Sequence, residues 1–432
     1  MGKIIFTFLC CCAASLVCKA QPGLVIVKGH QFILDGKKYH YIGANYWYGG
    51  LLATTEAGKI RLKKELDFLA SKGVNNLRVL AVAEGEGIIT AVERVQPAYQ
   101  PAKGIFRDSI LIALDYLLAE MGKRQMKAVL FLSNNWEWSG GFLQYLNWNG
   151  QIADSVLARK IDWEDYRDYV SRFYSCGRCI EQQRAVVKRI VSRTNTITGK
   201  AYAADPAIMS WELANEPRPM RPAAVPAYKS WIAANAALIK SLDRNHLVTT
   251  GAEGDIGTEG MENYLSIHRD KNIDYATIHI WPKNWSWFAD TSISRSMDSI
   301  ITKTTEYIDR HRGAMQRLGK PLVIEEFGLP RDQQRFTLTS TTHSRDYYYS
   351  RIFSILVKDI AASGVINGAN FWAFGGMGRP SYRQHLWAKG EDLLGDPPME
   401  EQGLNSVFNT DHSTWKLIFK FTQQINHKNR LP

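Results

Sequence analysis

The stretch Ile208-Met-Ser-Trp-Glu-Leu-Ala-Asn-Glu-Pro217 predicts a short apolar strand that ends in an amide and a carboxylate. Pro217 disfavours the helical conformation for Glu216, so the backbone stays extended and presents this carboxylate at the end of the strand. In α/β folds, active-site residues commonly lie on the loops that follow such strands. The alternative is a surface or capping Glu216, because Asn, Glu and Pro are ordinary loop residues.

A second carboxylate stretch, Pro321-Leu-Val-Ile-Glu-Glu-Phe-Gly328, favours a catalytic interpretation, and its Glu326 lies 110 positions after Glu216. Glu325 and Glu326 are neighbours on one predicted strand. Side chains alternate between the two faces of a strand, so only one of the two can face a cleft.

Strand-like and helix-like segments alternate along the chain. The eight predicted strands cover residues 41–47, 76–82, 127–133, 208–217, 247–252, 275–281, 321–327 and 368–374. The predicted helices cover residues 60–71, 109–123 (with Asp108 as a cap), 224–242, 297–318, 345–362 and 413–425, and residues 134–205 are expected to hold an aromatic loop and two helices.

This alternation predicts a parallel sheet, and eight units predict its closure into a single-domain (β/α)8 TIM barrel. The alternative is an open doubly wound sheet. That fold usually carries a Gly-rich phosphate turn after its first strand, and Gly43-Ala-Asn-Tyr-Trp-Tyr-Gly49 is not such a turn.

Residues 1–20 have the pattern of a secretory signal peptide, with Lys3, a mostly apolar run over 4–17 and Ala20 before the predicted cut. The apolar run is too short to span a bilayer comfortably. A lipoprotein cut before Cys18 is the alternative. We therefore expect a secreted or periplasmic protein whose catalytic domain covers 21–432 and begins with a small β-hairpin.

The net charge of +11 falls to +9 when Lys3 and Lys19 are removed with the signal peptide. The basic residues are scattered, which is typical of a solvated surface and not of a nucleic-acid interface. Cys176 and Cys179 are the two cysteines of the mature chain, and in an exported protein they favour a local disulfide. Inert thiols are the next alternative, because a redox or zinc site would need a thioredoxin-like setting or two more ligands.

The predicted strand ends carry a distinctive set of side chains. They are Trp47, Arg78, Asn134, Asn135, Trp136, Asn215, Glu216, Glu253, His279, Trp281, Glu326 and Trp372. Barrel enzymes place their active sites at this face. Carboxylates and indoles, without a Cys/His metal set or an activated serine, indicate chemistry on a sugar, because indole faces stack on sugar C–H faces while amides bind hydroxyls. We expect no metal and no organic cofactor.

Two stretches, Trp211-Glu-Leu-Ala-Asn-Glu-Pro217 and Ile324-Glu-Glu-Phe-Gly328, resemble the carboxylate motifs of glycoside hydrolase family 5, which belongs to clan A of retaining glycosidases. Three more resemble its β-mannanase branch: Asn134-Asn-Trp-Glu-Trp-Ser-Gly-Gly141, His279-Ile-Trp-Pro-Lys-Asn-Trp285 and Gly395-Asp-Pro-Pro-Met-Glu-Glu-Gln-Gly-Leu-Asn-Ser-Val-Phe408. The resemblance implies an endo-acting hydrolase of β-1,4-mannosidic bonds in mannan, galactomannan or glucomannan. We expect it to be a monomer.

The resemblance implies that Glu216 is the general acid/base and that Glu326, directly before an aromatic-Gly pair, is the nucleophile of a double displacement through a covalent glycosyl-enzyme intermediate. Glu325 would then face the helix layer. An ionised Glu326 would keep Glu216 protonated until its proton is needed. Because Asn215 precedes Glu216, both can contact a sugar only if the strand bulges or turns there.

The resemblance also implies that Arg78 and His279 hold the nucleophile ionised and oriented, although a structural ion pair and a satisfied core histidine are the alternatives. Asn215 would bind the hydroxyl next to the reacting carbon, and Trp372 would form the floor beneath the sugar. Trp281 stands where many family members have a tyrosine that donates to the nucleophile, and its indole N–H can also donate, with a different geometry.

Trp47, Asn135 and Trp136 are also expected to contact the substrate, and Glu253 to be a supporting or rim residue without a catalytic role. Two rival functions stay open. One is an endo-β-1,4-glucanase, because mannose and glucose differ by the configuration of one hydroxyl. The other is a carbohydrate-binding barrel without catalysis, which the presence of both motif carboxylates argues against.

Overall fold

The computed structural model describes residues 22–289, 292–381 and 385–429, so the predicted signal peptide lies outside the described residues. Its main feature is a barrel of parallel strands, numbered β1 to β8 in chain order. Their bounds are Tyr41–Asn45, Asn76–Leu80, Lys127–Phe131, Ile208–Glu212, Leu247–Thr249, Ala276–Ile280, Leu322–Phe327 and Ile366–Phe371. The strands are paired in the order β5-β4-β3-β2-β1-β8-β7-β6, and a parallel bridge between Thr249 and Tyr275 joins the two edges. The predicted (β/α)8 barrel is confirmed.

The helices surround this barrel and are numbered α1 to α12. Their bounds are Gly49–Leu52, Glu56–Ser71, Asp108–Lys123, Gly141–Trp148, Asp154–Leu157, Trp163–Ser171, Gly177–Val191, Val225–Leu242, Met261–His268, Met297–Leu318, His343–Ala361 and His412–Asn429. Short 3-10 turns cover Glu137–Ser139, Arg172–Ser175, Tyr202–Ala204, Pro222–Ala224 and Asp332–Gln334. Within the described ranges, no helix is long and apolar enough to cross a membrane.

All barrel strand residues are buried, because the helices cover one face of the sheet and packed side chains fill the other. The eight predicted strands are all present, but most end before their predicted C-terminal residue. The residues beyond these ends form loops, and the loops carry the polar side chains of the site. Two short extra sheets lie among these loops: Ile88–Ile89 pairs with Val92–Glu93, and Phe374–Gly376 pairs with Val407–Phe408.

The N-terminal segment closes the opposite end of the barrel. It is a sheet of three antiparallel strands, Val25–Lys28, Gln31–Leu34 and Lys37–Lys38, so the predicted hairpin gains a short third strand. Phe32 of this sheet packs edge-on against Tyr275 with ring centroids 5.2 Å apart. The strands therefore cover the barrel bottom and leave its C-terminal end as the open face.

Two local predictions need correction. The segment 134–205 holds four helices, α4 to α7, and not two, because short amphipathic turns between aromatic residues are hard to separate from loop. Asp108 is the first residue of α3 and not its cap, which is Arg107. By contrast, α10 has its predicted bounds and ends at Gly319 in the left-handed conformation, with φ of 66°.

Candidate active site

A cavity of about 440 Å³ lies at the C-terminal ends of the strands. Its lining residues are Trp136, Trp138, Trp163, Asn215, Glu216, Arg218, Glu253, Ile256, Trp281, Asn284, Trp285, Glu326, Trp372, Met399 and Glu400. The cavity thus collects indoles and carboxylates from many separate loops, as expected for a barrel active site.

The backbone turns where Asn215 and Glu216 leave β4. Glu216 has φ of 50°, in the left-handed region, so the strand does not continue as regular extended backbone. The N–H of Asn215 donates to Ser133 O at 2.9 Å, and that of Glu216 donates to Gly251 O at 3.0 Å. The predicted turn is confirmed, and it lets both neighbouring side chains line the cavity. The extended backbone that Pro217 was expected to impose on Glu216 is wrong, because the turn overrides the local preference of a residue before proline.

Glu216 is buried and accepts two hydrogen bonds. The indole Nε1 of Trp136 donates to its Oε2 at 2.5 Å, and Nδ1 of His279 lies 2.7 Å from its Oε1. Burial raises the pKa of Glu216, but the hydrogen bond and charge of His279 outweigh burial and bring the pKa below its ordinary value.

Glu326 is held by three residues at the end of β7. Nη1 of Arg78 donates to Oε1, the indole Nε1 of Trp281 donates to Oε2 at 3.0 Å, and Nδ1 of His279 lies 3.4 Å from Oε2. Burial raises the pKa of Glu326 to about 7, against the opposing charges of His279 and Arg78. The indole at position 281 thus makes the contact that the sequence left open.

His279 is shared between the two carboxylates instead of serving Glu326 alone. Burial opposes its protonation, but the charge of Glu326 and the hydrogen bonds to Glu216 and Glu325 raise its pKa to about 10. Contact with the imidazole thus favours the ionised form of Glu216, which is opposite to the effect expected from an ionised Glu326 alone.

One ligand-type atom from each of Glu216, His279 and Glu326 lies within 4.8 Å of the others. In the part of the chain that the structure describes, this is the one group of such residues with metal-ligand spacing. The guanidinium of Arg78 already contacts Glu326, so a metal cation bound here would be repelled by the positive charge of Arg78. The same spacing brings the two carboxylates close enough to act on one bond.

Arg78 lies beneath the cavity and does not line it. Its Nε and Nη2 donate to Glu212 at 2.8 and 2.6 Å, and Nη2 also donates to Asn215 Oδ1 at 2.8 Å. Burial raises the pKa of Glu212 to about 8, and Arg78 opposes this increase. Arg78 therefore holds Asn215 and Glu326 from below, which is the kind of orienting contact that the resemblance implies for it.

Glu325 does not face the helix layer as predicted. The pairing of β6 with β7 matches Ile278 with Ile324 but His279 with Glu326, so Glu325 is an extra residue in a β-bulge. Its buried carboxylate has Oε2 at 3.4 Å from His279 Nε2 and 3.7 Å from Arg78 Nε. Because the bulge interrupts the alternation, both neighbouring glutamates face the barrel interior.

Two predicted substrate contacts lie one layer too deep. Trp47 is buried, donates to Gly395 O at 2.9 Å and packs edge-on against Trp138, with centroids 5.4 Å apart. Asn135 is also buried, and its Oδ1 accepts from Arg218 N at 3.3 Å. Trp47 thus supports the indole that lines the cavity, and Asn135 supports the loop that carries Arg218.

Trp372 lies at the cavity as predicted, with its ring 5.7 Å from that of Trp281 at an angle of 80°. Its indole N–H is buried and has no hydrogen-bond partner among the described residues. Glu253, expected to be a supporting or rim residue, is buried and accepts from Arg218 Nε and Nη2 at 2.5 and 2.7 Å.

Sequence reasoning missed several lining residues: Trp138, Trp163, Arg218, Ile256, Asn284, Trp285, Met399 and Glu400. They come from loops and from the start of α6, where side-chain direction follows no strand period. Arg218 was the easiest of them to predict from the sequence, because it directly follows the Asn-Glu-Pro stretch. Cys176 and Cys179 do not line the cavity and are joined by a disulfide at the start of α7.

The chain is similar to known glycosidases over most of its length. Residues 23–430 match the model of the GH family 5 beta-mannosidase-like family. Mannan endo-1,4-beta-mannosidase 1 of Oryza sativa is 29% identical over 392 residues, covering 87% of this chain and 83% of the relative. The enzyme of the same name from Arabidopsis thaliana is 28% identical over 374 residues, covering 82% and 83%.

Solved structures have the same fold. A glycoside hydrolase family 5 mannosidase of Rhizomucor miehei, in complex with mannosyl-fructose, is 30% identical, with 94% of this chain and 98% of that chain covered and a TM-score of 0.85. The endo-beta-1,4-mannanase of Thermotoga petrophila shares the fold at 22% identity, with 91% and 78% covered and a TM-score of 0.66. The family model covers nearly all the described residues, and the chain belongs to the GH family 5 beta-mannosidase-like family.

Proposed function

We propose that this protein is a retaining glycoside hydrolase that cleaves β-1,4-mannosidic bonds in mannan, galactomannan or glucomannan. The observation that carries the proposal is the close approach of Glu216 and Glu326, which have carboxylate oxygens within 4.8 Å of one another. Retaining enzymes keep these groups about 5–5.5 Å apart, whereas inverting enzymes leave about 6.5–9.5 Å for a water molecule. The names of the plant relatives support mannan as the substrate class.

In the first step, ionised Glu326 attacks the anomeric carbon and forms a covalent glycosyl-enzyme. Arg78 and the indole N–H of Trp281 hold its two oxygens in place. Glu216 protonates the departing oxygen. The proton on His279 Nδ1 lies on a 2.7 Å hydrogen bond to Glu216, and a short transfer along this bond supplies the acid without side-chain rearrangement.

In the second step, Glu216 takes a proton from the incoming water, which then attacks the anomeric carbon and releases Glu326. Asn215, oriented by Arg78, is the group we assign to the hydroxyl next to the reacting carbon. Trp372, which lines the cavity, forms the floor under the sugar. No step requires a metal or an organic cofactor.

A second candidate is the release of single mannose units from chain ends. It is favoured by the size of the cavity, about 440 Å³, and by the likeness to a structure described as a family 5 mannosidase. An endo-β-1,4-glucanase is the remaining rival, because the same carboxylates serve either sugar.

Product release from manno-hexasaccharide and cello-hexasaccharide, measured side by side, tests these alternatives. Internal cleavage of the manno chain alone, lost in Glu216→Ala and Glu326→Ala, is the expected result. Mannose as the sole early product would favour the second candidate. Cleavage of the cello chain instead would show that the substrate is a β-1,4-glucan and not a mannan. If neither chain is cleaved but mannan is bound, the protein is a binding barrel.

We also propose that the protein is exported and acts as a monomer on polysaccharide outside the cytoplasm. The secretory pattern of residues 1–20 and the disulfide between Cys176 and Cys179 support export. N-terminal sequencing of the protein from culture medium and periplasm, and its mass in solution, test both statements.

A further inference from the structure

Three aromatic rings with similar orientation lie beside the acid/base residue. Trp136, Trp163 and Tyr166 have ring planes within 26° of one another, and their centroids are 6.1, 5.8 and 6.0 Å apart. A single column of three stacked rings would place its outer centroids about 7 Å apart, since stacked rings are about 3.5 Å apart. At least two of the rings therefore lie side by side and form a broad flat surface.

Trp163 is the exposed member of this surface. Its side chain is 48% exposed and lines the cavity, whereas Tyr166 is buried and donates its hydroxyl to Asn135 O at 2.8 Å. The guanidinium of Arg218 lies over the ring of Trp136, 5.0 Å from its centre, and covers one face of that ring. A large indole left in solvent beside a catalytic pair is an unexplained loss of apolar burial.

The position of Trp163 identifies the part of the substrate it would meet. Trp136 joins Trp163 to Glu216, because its indole N–H is bound to the Glu216 carboxylate. A general acid must contact the departing oxygen, so residues beyond it on the side away from Glu326 meet the leaving sugar. The indole bonded to Glu326 is Trp281, which packs on Trp372, whereas Trp163 is connected to Glu216. We therefore place Trp163 on the leaving-group side of the scissile bond.

We infer that Trp163 is a stacking platform for a mannosyl residue on the leaving-group side, a subsite that also binds the acceptor in the reverse direction. This inference rests on the proposed function. One face of a β-linked mannosyl ring carries only axial C–H bonds, because the axial 2-hydroxyl projects from the other face. The electron-rich indole face complements those C–H groups.

Reactivation of a trapped enzyme measures this subsite directly. 2-Deoxy-2-fluoro-β-mannosyl fluoride labels the nucleophile and leaves fluoride, so trapping does not require a sugar on the leaving side. Water alone, or added mannobiose as an acceptor, then releases the label. In Trp163→Ala we expect trapping and release by water to be unchanged, and the mannobiose concentration for half-maximal reactivation to rise about two- to tenfold.

Trp163→Phe should recover most of the acceptor binding, because it restores an aromatic face. Tyr347→Ala is the matched control, since Tyr347 is 49% exposed, lies on α11 and does not line the cavity. An unchanged acceptor dependence in Trp163→Ala overturns the inference, and so does an equal change in trapping and in release by water. If the native protein is not labelled at all, the proposed function fails, and this inference fails with it.

Discussion

Nδ1 of His279 lies 2.7 Å from Oε1 of Glu216. The other ring nitrogen, Nε2, lies 3.4 Å from Glu325 Oε2, so a buried imidazole connects two carboxylates on different strands. An imidazolium donates from both nitrogens. When the ring becomes neutral, it can retain the proton at Nε2, which is hydrogen-bonded to Glu325, and release the proton at Nδ1. Glu325 therefore selects the tautomer in which Glu216 receives the proton.

Neutralising Glu325 should move the alkaline limb of the activity profile to lower pH. The hydrogen bond to Glu325 favours protonated His279, together with Glu326 and Glu216, and Arg78 lies beside them. Loss of one carboxylate in Glu325→Gln lowers the pKa of His279 from its value of about 10. The proton shared with Glu216 is then lost at a lower pH, and kcat/KM for mannotetraose measured against pH should reveal this.

The matched control is Glu65→Gln, which neutralises another buried carboxylate that is bound to Arg61 and Tyr46 and lies outside the cavity. This variant should leave the alkaline limb in place. If both variants shift the limb equally, or if Glu325→Gln leaves it unmoved, Glu325 has no part in positioning the proton on His279.

Removal of Glu216 should affect substrates according to how much their leaving group needs a proton. General acid catalysis typically increases the rate by about 10²–10⁴-fold. A leaving sugar depends on this full increase, whereas 2,4-dinitrophenolate departs without a proton. In Glu216→Ala, glycosyl-enzyme formation should fall by about this factor for mannotetraose and change little for 2,4-dinitrophenyl β-mannoside. Pre-steady-state measurement of dinitrophenolate release separates the two steps.

Added azide provides the check on the same variant. Azide needs no general base, and we expect it to restore turnover of the dinitrophenyl substrate with a β-mannosyl azide as product. An α-mannosyl azide would show that azide displaces the leaving group directly, in a single step that inverts the anomeric configuration. Equal losses on both substrates would place Glu216 outside the proton transfer.

The fold and the catalytic pair could be predicted because they depend on short, regular patterns. The barrel follows from alternating apolar runs, and the placement of Glu216 and Glu326 follows from the positions where two of these runs end. The turn at Glu216 was predictable from the need for two adjacent side chains on one side, although the extended preference of a residue before proline pointed the other way. These features depend on short stretches of the chain, so a single sequence is enough to predict them.

Other parts of the site depend on relationships between elements. The position of Glu325 follows from a one-residue register shift between β6 and β7, which a period of two cannot reveal. Trp47 ends its strand as predicted but lies beneath Trp138, because an indole from another loop covers it. Arg218 contributes through its partner Glu253, and the sequence does not indicate that pairing.

Trp281→Phe tests whether an indole can serve where the resemblance leads us to expect a phenol. The change removes the N–H that donates to Glu326 Oε2 at 3.0 Å and keeps an aromatic ring against Trp372. A hydrogen bond to a charged group is worth about 1.5–3 kcal/mol. We expect kcat/KM to fall by about ten- to a hundredfold on both activated and unactivated mannosides, because the nucleophile acts on each. A loss confined to unactivated substrates would contradict this role and assign the indole to the acid instead.

Arg218→Met should destabilise the fold mainly above neutral pH. The side chain of Glu253 is 1% exposed, and Arg218 is its charge partner, so removal of the cation leaves a buried carboxylate unpaired, at a cost of about 3–5 kcal/mol. Burial already raises the pKa of Glu253, and loss of Arg218 raises it further. A carboxyl whose folded pKa exceeds its unfolded pKa destabilises the folded state increasingly as pH rises between the two values, so the loss should be larger at pH 8 than at pH 5. Urea unfolding at both pH values measures this loss of stability.

The double variant Arg218→Met/Glu253→Gln removes the unpaired charge and should recover most of the stability. A double variant as unstable as the single one would show that Arg218 acts through packing on Trp136 instead.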